Sequence, residues 1–336
     1  MEKSYLIAEQ EELLEFVSQT KIPKRITLWL FNNIKFLILP GSRLEELDIR
    51  ELEFERTATK RHLIKRLKNP LTILGFCIIF LIITLAVFAP WISPQSFEYA
   101  MIPQPGSWNP PSLEHPLGQT AMGGDVLSRL IWGARTSLTI ALPSLSLSVV
   151  GGVVFGVLAA YYGGWVDALI MRICDVFLAF PGLILALVFI AIYGPIMEMI
   201  LLIYGFLGIP FYARLIRGNV LLARDLPYIS AAKTSGAGNW RIMFRHILPN
   251  VIQPIIISVT FNLGTVILGL AGLSFLGMNQ SILIEWGNDI NVARENPYES
   301  PWAGLWPGFM IFLTVLGFML VGDGLRDALD PRLKNL

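Results

Sequence analysis

The side chains able to do chemistry are few and scattered. Arg172 and Asp175 stand one helical turn apart inside or beside a long apolar run. Charges at membrane depth are costly and often functional, so the pair reads as a coupling-ion or solute site. The same spacing also suits a mutually neutralising pair at a helix end. Glu198 falls near one end of another apolar run, where water reaches it, and reads as structural or solvated. Asp323, Arg326, Asp327, Asp330 and Arg332 form a charge-patterned C-terminal turn, suited to locking against a partner or to a self-contained salt-bridge cluster. His62, His115 and His246 lack ligand-like spacing, so no metal site is expected, and His115 reads as a plain loop histidine. Cys77 and Cys174 both sit in apolar runs and read as buried small hydrophobes rather than disulfide partners. No Ser/His/Asp or Cys/His constellation, no phosphate-binding Gly-x-x-x-x-Gly-Lys-Ser/Thr and no basic–aromatic nucleic-acid pattern occurs. The chain is therefore not expected to be an enzyme, to hold a cofactor or to bind nucleic acid.

Composition says what positions these residues. Of 336 residues, 54% are hydrophobic and 15% charged, against about a quarter charged in a soluble domain, which points to a membrane protein. A spanning helix needs roughly 20 mostly apolar residues. Six stretches qualify, at about 71–92, 137–161, 166–193, 195–220, 251–275 and 303–321. Pro181 with Gly182 in the third, and Pro210 in the fourth, predict kinks or broken helices. Trp286, Trp302 and Trp306 fit an interfacial aromatic belt. The Glu-rich opening at 1–19 lacks a basic region followed by an apolar stretch, so it is not expected to be a signal peptide.

Basic residues set the expected orientation. They crowd 60–68 before the first span, 214–245 between the fourth and fifth, and 326–334 after the sixth. The segments 93–136 and 276–302 hold only Arg129, Arg135 and Arg294. Both termini and the 224–249 loop are thus expected in the cytoplasm, with 93–136 and 276–302 outside. The outer 93–116 stretch, rich in Pro, Ser and Trp, reads as irregular structure. Residues 1–70 read as a charged, helical cytoplasmic extension ahead of the six-span domain at 71–336. Its 26–39 run is too short and too interrupted to span and fits an amphipathic helix on lipid at the inner surface, or one packed on the protein itself.

The 225–250 loop is the most distinctive segment. It reads as two short helices joined at Gly236, where a side chain would strain the turn. Ala231 and Ala232 are small enough to admit another protein's surface. Ile242, Phe244, Ile247 and Leu248 form an apolar face with Arg241, Arg245 and His246 alongside, and Pro249 is expected to stop the helix before the fifth span.

This loop resembles the "EAA" loop of binding-protein-dependent ABC importers, in which Glu-Ala-Ala is followed, after three intervening residues, by Gly and later by Ile-x-Leu-Pro. Ala231, Ala232, Gly236, Ile247, Leu248 and Pro249 match, with Ile247 directly beside Leu248; Ser230 stands at the Glu position, removing one possible charged contact. His115-Pro-Leu-Gly118, Gly124-Asp-Val-Leu-Ser-Arg129, Gly133-Ala-Arg-Thr-Ser-Leu138, Leu273-Ser-Phe-Leu-Gly277 and the run from Gly322 to Arg332 resemble the second ("C") permease of oligopeptide and dipeptide importers. That family often has Gly-Arg-Asp where this chain has Gly123-Gly124-Asp125. The likeness covers about 71–333 and leaves 1–60 outside.

The resemblance implies an all-α polytopic protein of six transmembrane helices with the type I ABC importer permease fold. It implies a heterodimer with a second six-span permease, two cytoplasmic ATPases that bind the ATP, and an extracytoplasmic binding protein that delivers solute. The coupling residues it implies are Ser230, Ala231, Ala232, Gly236, Ala237, Trp240, Arg241, Phe244, Arg245, Ile247, Leu248 and Pro249. It also favours the neutralising-pair reading of Arg172 and Asp175. Peptides are the implied solute, with oligosaccharides or nickel complexes as alternatives carried by related permeases. An ion-coupled secondary transporter is the rival from another class; it would show inverted repeats and intramembrane carboxylates, and would not need the loop. A membrane scaffold or channel subunit would not need that loop either.

Overall fold

The computed structural model describes residues 67, 69–277 and 283–329. The 26–39 segment, Asp330 and Arg332 lie outside the described residues, and so do the expectations attached to them. Among the described residues the structure is helical, with one isolated β-bridge between Gln119 and Asp125. The first helix, α1 (Pro70–Val87), starts on Asn69, whose side chain accepts from the Leu71 N–H, with Pro70 pre-set for the first turn. Two short helices follow, α2 (Ala89–Ile92) and α3 (Phe97–Met101); α3 makes the 93–116 stretch, expected to be irregular, partly helical.

The longest helix, α4 (Val126–Tyr162), has 37 residues, about 55 Å of helix against roughly 30 Å of hydrocarbon. It begins 11 residues before the expected span because Asp125 caps it, its carboxylate accepting from the Ser128 N–H at 2.8 Å. The third span is broken into α5 (Gly164–Leu178) and α6 (Gly182–Tyr193), bent by 84° at the break. The Pro181-Gly182 signal thus marks a real interruption. At Pro210, where a kink or a break is expected, the helix does not break: α7 (Met197–Ala223) runs through it as one helix, with Pro210 buried. Close packing of α7 on α4 offsets the lost backbone bond. Beyond the loop lie α11 (Gln253–Phe275), the short α12 (Trp286–Ala293) and α13 (Pro301–Leu329). Helices α1, α4, α7, α11 and α13 are each long and apolar enough to cross a membrane, and α5–α6, counted as one broken span, brings the number to six.

Small residues bring the spans together. A Cβ on Gly152 would lie 2.3 Å from the Tyr212 Cβ, and one on Gly208 2.2 Å from the Ser148 hydroxyl oxygen. Ser144 and Ser148 donate across the same seam to Leu201 O at 3.0 Å and Gly205 O at 2.8 Å. Between α1 and α13, a Cβ on Gly75 would meet the Leu320 Cβ at 2.7 Å. In lipid, where apolar burial gives helices little reason to associate, such close approach and hydrogen bonding hold a bundle together.

Candidate functional site

The connection between α7 and α11 is a compact helical foot. It starts with α8 (Pro227–Thr234), Pro227 at its first position. Gly236 ends this helix in the left-handed region at φ +77°. The Gly236 N–H donates to Lys233 O and the Ala237 N–H to Ala232 O, each at 3.0 Å. These two bonds make a Schellman ending, which satisfies carbonyls that a straight exit would leave bare. A Cβ on Gly236 would meet nothing within 4 Å, so the glycine is needed for its backbone angle and not for space.

The returning arm is α9 (Asn239–Arg241), a π-helical turn (Ile242–Ile247) and α10 (Leu248–Val251). The Leu248 N–H reaches back five residues to Met243 O. This corrects the expectation that Pro249 stops the helix. Pro249 lies in the first turn of α10, where no N–H is needed, and the widened turn before it relieves the clash a proline ring makes with the carbonyl four residues earlier. Only Ile252 separates α10 from α11.

The foot is anchored to the bundle. Ile229, Ile242, Met243 and Ile247 are fully buried in one cluster with Ile216 and Val220 of α7. Phe244, Leu248, Ala232 and Ala237 pack partly against that cluster. The Tyr161 hydroxyl donates to Asn239 Oδ1 at 2.9 Å, and the Lys233 ammonium sits 5.9 Å above the Tyr161 ring. One residue at the end of α4 therefore clamps both arms. Neither Met243 nor Tyr161 was picked out by sequence, since Tyr161 lies 78 positions from its partner.

Outward from the foot point Ser230, Ala231, Trp240, Arg241 and Arg245, all exposed, with Pro249 exposed beside them. Trp240 is 65% exposed and packs on Phe244 with ring centroids 4.4 Å apart. The two alanines separate here: Ala231 faces out, whereas Ala232 is half-buried against the core. Of the two, only Ala231 is free at the surface.

Charged residues elsewhere are arranged differently from the sequence expectation. Asp175 is not paired with Arg172; it bonds the Arg214 guanidinium on α7. Asp167 takes a two-point bond from Arg217, at 2.6 and 2.7 Å. Both pairs tie α5 to α7, a partnership that local spacing cannot show. Glu198 is exposed in the first turn of α7. Asp323, Arg326 and Asp327 lie in the last turns of α13.

At the opposite end, the tryptophan expectation is corrected for Trp286. It is 1% exposed and donates to Leu130 O at 3.0 Å, so it is a core residue wedged against α4, where Gly133 leaves it room. His115 is likewise more than a plain loop residue: Nδ1 lies 3.1 Å from Asp125 Oδ1 and Nε2 3.0 Å from the Gln119 amide nitrogen. Glu285, which the sequence did not single out, is buried at the start of α12 and accepts from the Gly287 and Asn288 N–H groups. Burial pushes its carboxyl up to about 7, aided by the Asp289 charge and opposed by its hydrogen bonds.

Comparison with known proteins fits this architecture. Residues 152–335 match the family model of binding-protein-dependent transport system inner membrane components. Residues 60–111 match the N-terminal TM domain of oligopeptide transport permease C. The dipeptide transport system permease protein DppC of Alkalihalophilus pseudofirmus is 41% identical over 287 residues, 85% of this chain and 94% of that protein. The glutathione transport system permease proteins GsiD of Pectobacterium atrosepticum and of Escherichia coli O157:H7 are each 41% identical over 262 residues, 76% of this chain and 85% of theirs. This chain belongs to the family of binding-protein-dependent transport system inner membrane components and is a multi-pass inner-membrane permease.

Proposed function

We propose that this chain forms half of the translocation path of an ATP-driven importer of di- and oligopeptides. A second six-span permease supplies the other half, an extracytoplasmic binding protein delivers solute, and two cytoplasmic ATPases bind and hydrolyse ATP. The loop at 224–249 docks on one ATPase and passes its motion to the spans.

The observation that carries the reading is the build of the foot. A lever must be stiff, fixed to what it moves and exposed where it is pushed. The Schellman ending and the Tyr161 clamp stiffen the loop, four buried apolar side chains fix it to α7, and Ala231, Trp240 and Arg241 stay exposed. Only one residue separates it from α11, so displacement of the foot reaches that span directly. Peptides are favoured as solute by the relatives, one named for dipeptide and others for glutathione transport. Glutathione is itself a tripeptide.

The test is ATP hydrolysis by the reconstituted complex, with and without loaded binding protein. Ala231→Arg should abolish stimulation by blocking close approach from an outward position. Gly236→Val should do so by straining the left-handed turn, at a cost of about 1–2 kcal/mol or more. Normal stimulation in both variants would remove the docking assignment. Mass spectrometry of the solute held by the binding protein decides between peptide and any other cargo.

A further inference from the structure

A second place in the molecule combines polar groups at membrane depth with an opening. Between α4, α6, α7 and α11 lies a cavity of about 270 Å³ whose lining includes Tyr204, Tyr212, Asn262, Thr265 and Gly182. Among the described residues, no acidic or basic side chain lines it. The Asn262 amide nitrogen donates to the Tyr212 hydroxyl at 2.9 Å, which orients the amide and leaves its carbonyl oxygen without a bond among the described residues. The Tyr204 hydroxyl has no hydrogen-bond partner among the described residues, and a Cβ on Gly269 would come within 2.9 Å of it. Thr265 is exposed on the lip.

Polar groups in a bilayer are tolerated where they meet protein or water, not lipid tails. The break between α5 and α6 supplies an independent observation. Gly182 and Leu183, just past it, line this cavity, and the residues of the break are exposed in the single chain. Irregular backbone at that depth must be buried in protein or line an aqueous space. A Cβ on Gly182 would meet nothing within 4 Å, so open volume stands in front of it.

From this geometry we propose that Tyr204, Asn262 and Thr265 form a contact for uncharged amide groups of the solute on the translocation path. The inference rests on the peptide-importer reading above. A peptide backbone offers alternating N–H donors and carbonyl acceptors without charge. Two hydroxyls and a carboxamide supply both complements, again without charge. The cavity is smaller than the roughly 300–1,000 Å³ that encloses a ligand, and one side is open. Such a site holds weakly and releases, as passage requires.

The test uses the whole importer, with partner permease, ATPases and binding protein, in proteoliposomes, with radiolabelled dialanine as the probe. Tyr204→Phe, Asn262→Leu and Thr265→Val each keep the approximate shape. Each should lower dialanine moved per ATP hydrolysed by about two- to tenfold, the worth of one hydrogen bond. In a Cys77→Ser background, with Cys174 buried, the Thr265→Cys thiol should react with a charged, membrane-impermeant methanethiosulfonate, and reaction should block uptake. Unchanged ratios in all three variants overturn the proposal. So does reaction only with a membrane-soluble maleimide, because the cavity then faces lipid. If the unsubstituted complex shows no ATP-dependent uptake of dialanine or glutathione, the peptide reading falls and takes this one with it. If it does transport and the variants match it, only this inference falls.

Discussion

Arg129, in the first turns of α4, and Asp289, in α12, meet across 160 positions of sequence. The guanidinium Nε donates to Asp289 Oδ1 at 2.9 Å, and another nitrogen donates to Ala100 O at 2.9 Å. The two side chains are only 14% and 5% exposed. Beside them Trp286 bonds to Leu130 O, so two residues of the short α12 grip the same end of α4. Breaking one side of a buried pair leaves an uncompensated charge, which costs about 3–5 kcal/mol. Arg129→Met and Asp289→Leu should each lower the thermal unfolding midpoint of the purified protein strongly. The double variant should recover much of the loss. Near-additive losses in the double variant would show that the pair is not coupled.

Glu285 gives a pH dependence with a definite sign. Its carboxyl ordinarily ionises near 4.5, and burial raises this to about 7 in the folded chain. The folded state therefore holds the proton more tightly than the unfolded one. The associated stability is fully present below about 4.5 and is lost as pH rises through about 7. Glu285→Gln keeps an oxygen to accept from Gly287 and Asn288 but has no proton to lose. Thermal unfolding between pH 5 and 8.5 should show a flatter profile and higher stability at pH 8.5 for the variant. An unchanged slope would mean that Glu285 does not govern this range.

The expected orientation is open to a labelling experiment. Leu113 is fully exposed in the segment before α4. Gly238 has ordinary negative φ (−67°) and nothing within 4 Å of an added Cβ, so both positions accept cysteine. In intact cells the Leu113→Cys thiol should react with an impermeant reagent, and the Gly238→Cys thiol only after the inner face is exposed. The reverse pattern would invert the topology and overturn the proposal that the 224–249 loop docks on a cytoplasmic ATPase.

What the sequence discloses here follows from how local each signal is. The spans were legible because about 20 consecutive apolar residues are needed to cross hydrocarbon, and the Pro181-Gly182 pair marked the real break. The turn at Gly236 was legible because only a glycine takes φ +77° without strain. Long-range partnerships were not. Asp175 chooses Arg214 over Arg172, only three positions away on its own helix, because α7 presents its guanidinium across the seam. Trp286 reads as an interfacial anchor from hydropathy, yet Gly133 opens a notch that receives it. The expected second span starts at 137, past the charged Arg129 and Arg135, whereas the helix begins at Val126, where Asp125 caps it and Asp289 pairs with Arg129. The π turn before Pro249 also escaped, since proline alone predicts a stop and not a widened turn that carries the helix through it.

The coupling account is tested most directly by asking what the outer face of the foot touches. Tyr228 on α8 is 38% exposed, whereas its neighbour Ile229 is buried. Replacing it with a photo-crosslinking benzoylphenylalanine in the intact complex should yield, on irradiation, an adduct with the ATPase subunit. The same replacement at Tyr99 on α3, 46% exposed beyond the opposite end of the spans, should yield none. An ATPase adduct from Tyr99, or none from Tyr228 in a complex that hydrolyses ATP, would contradict the assignment of the 224–249 loop as the coupling element.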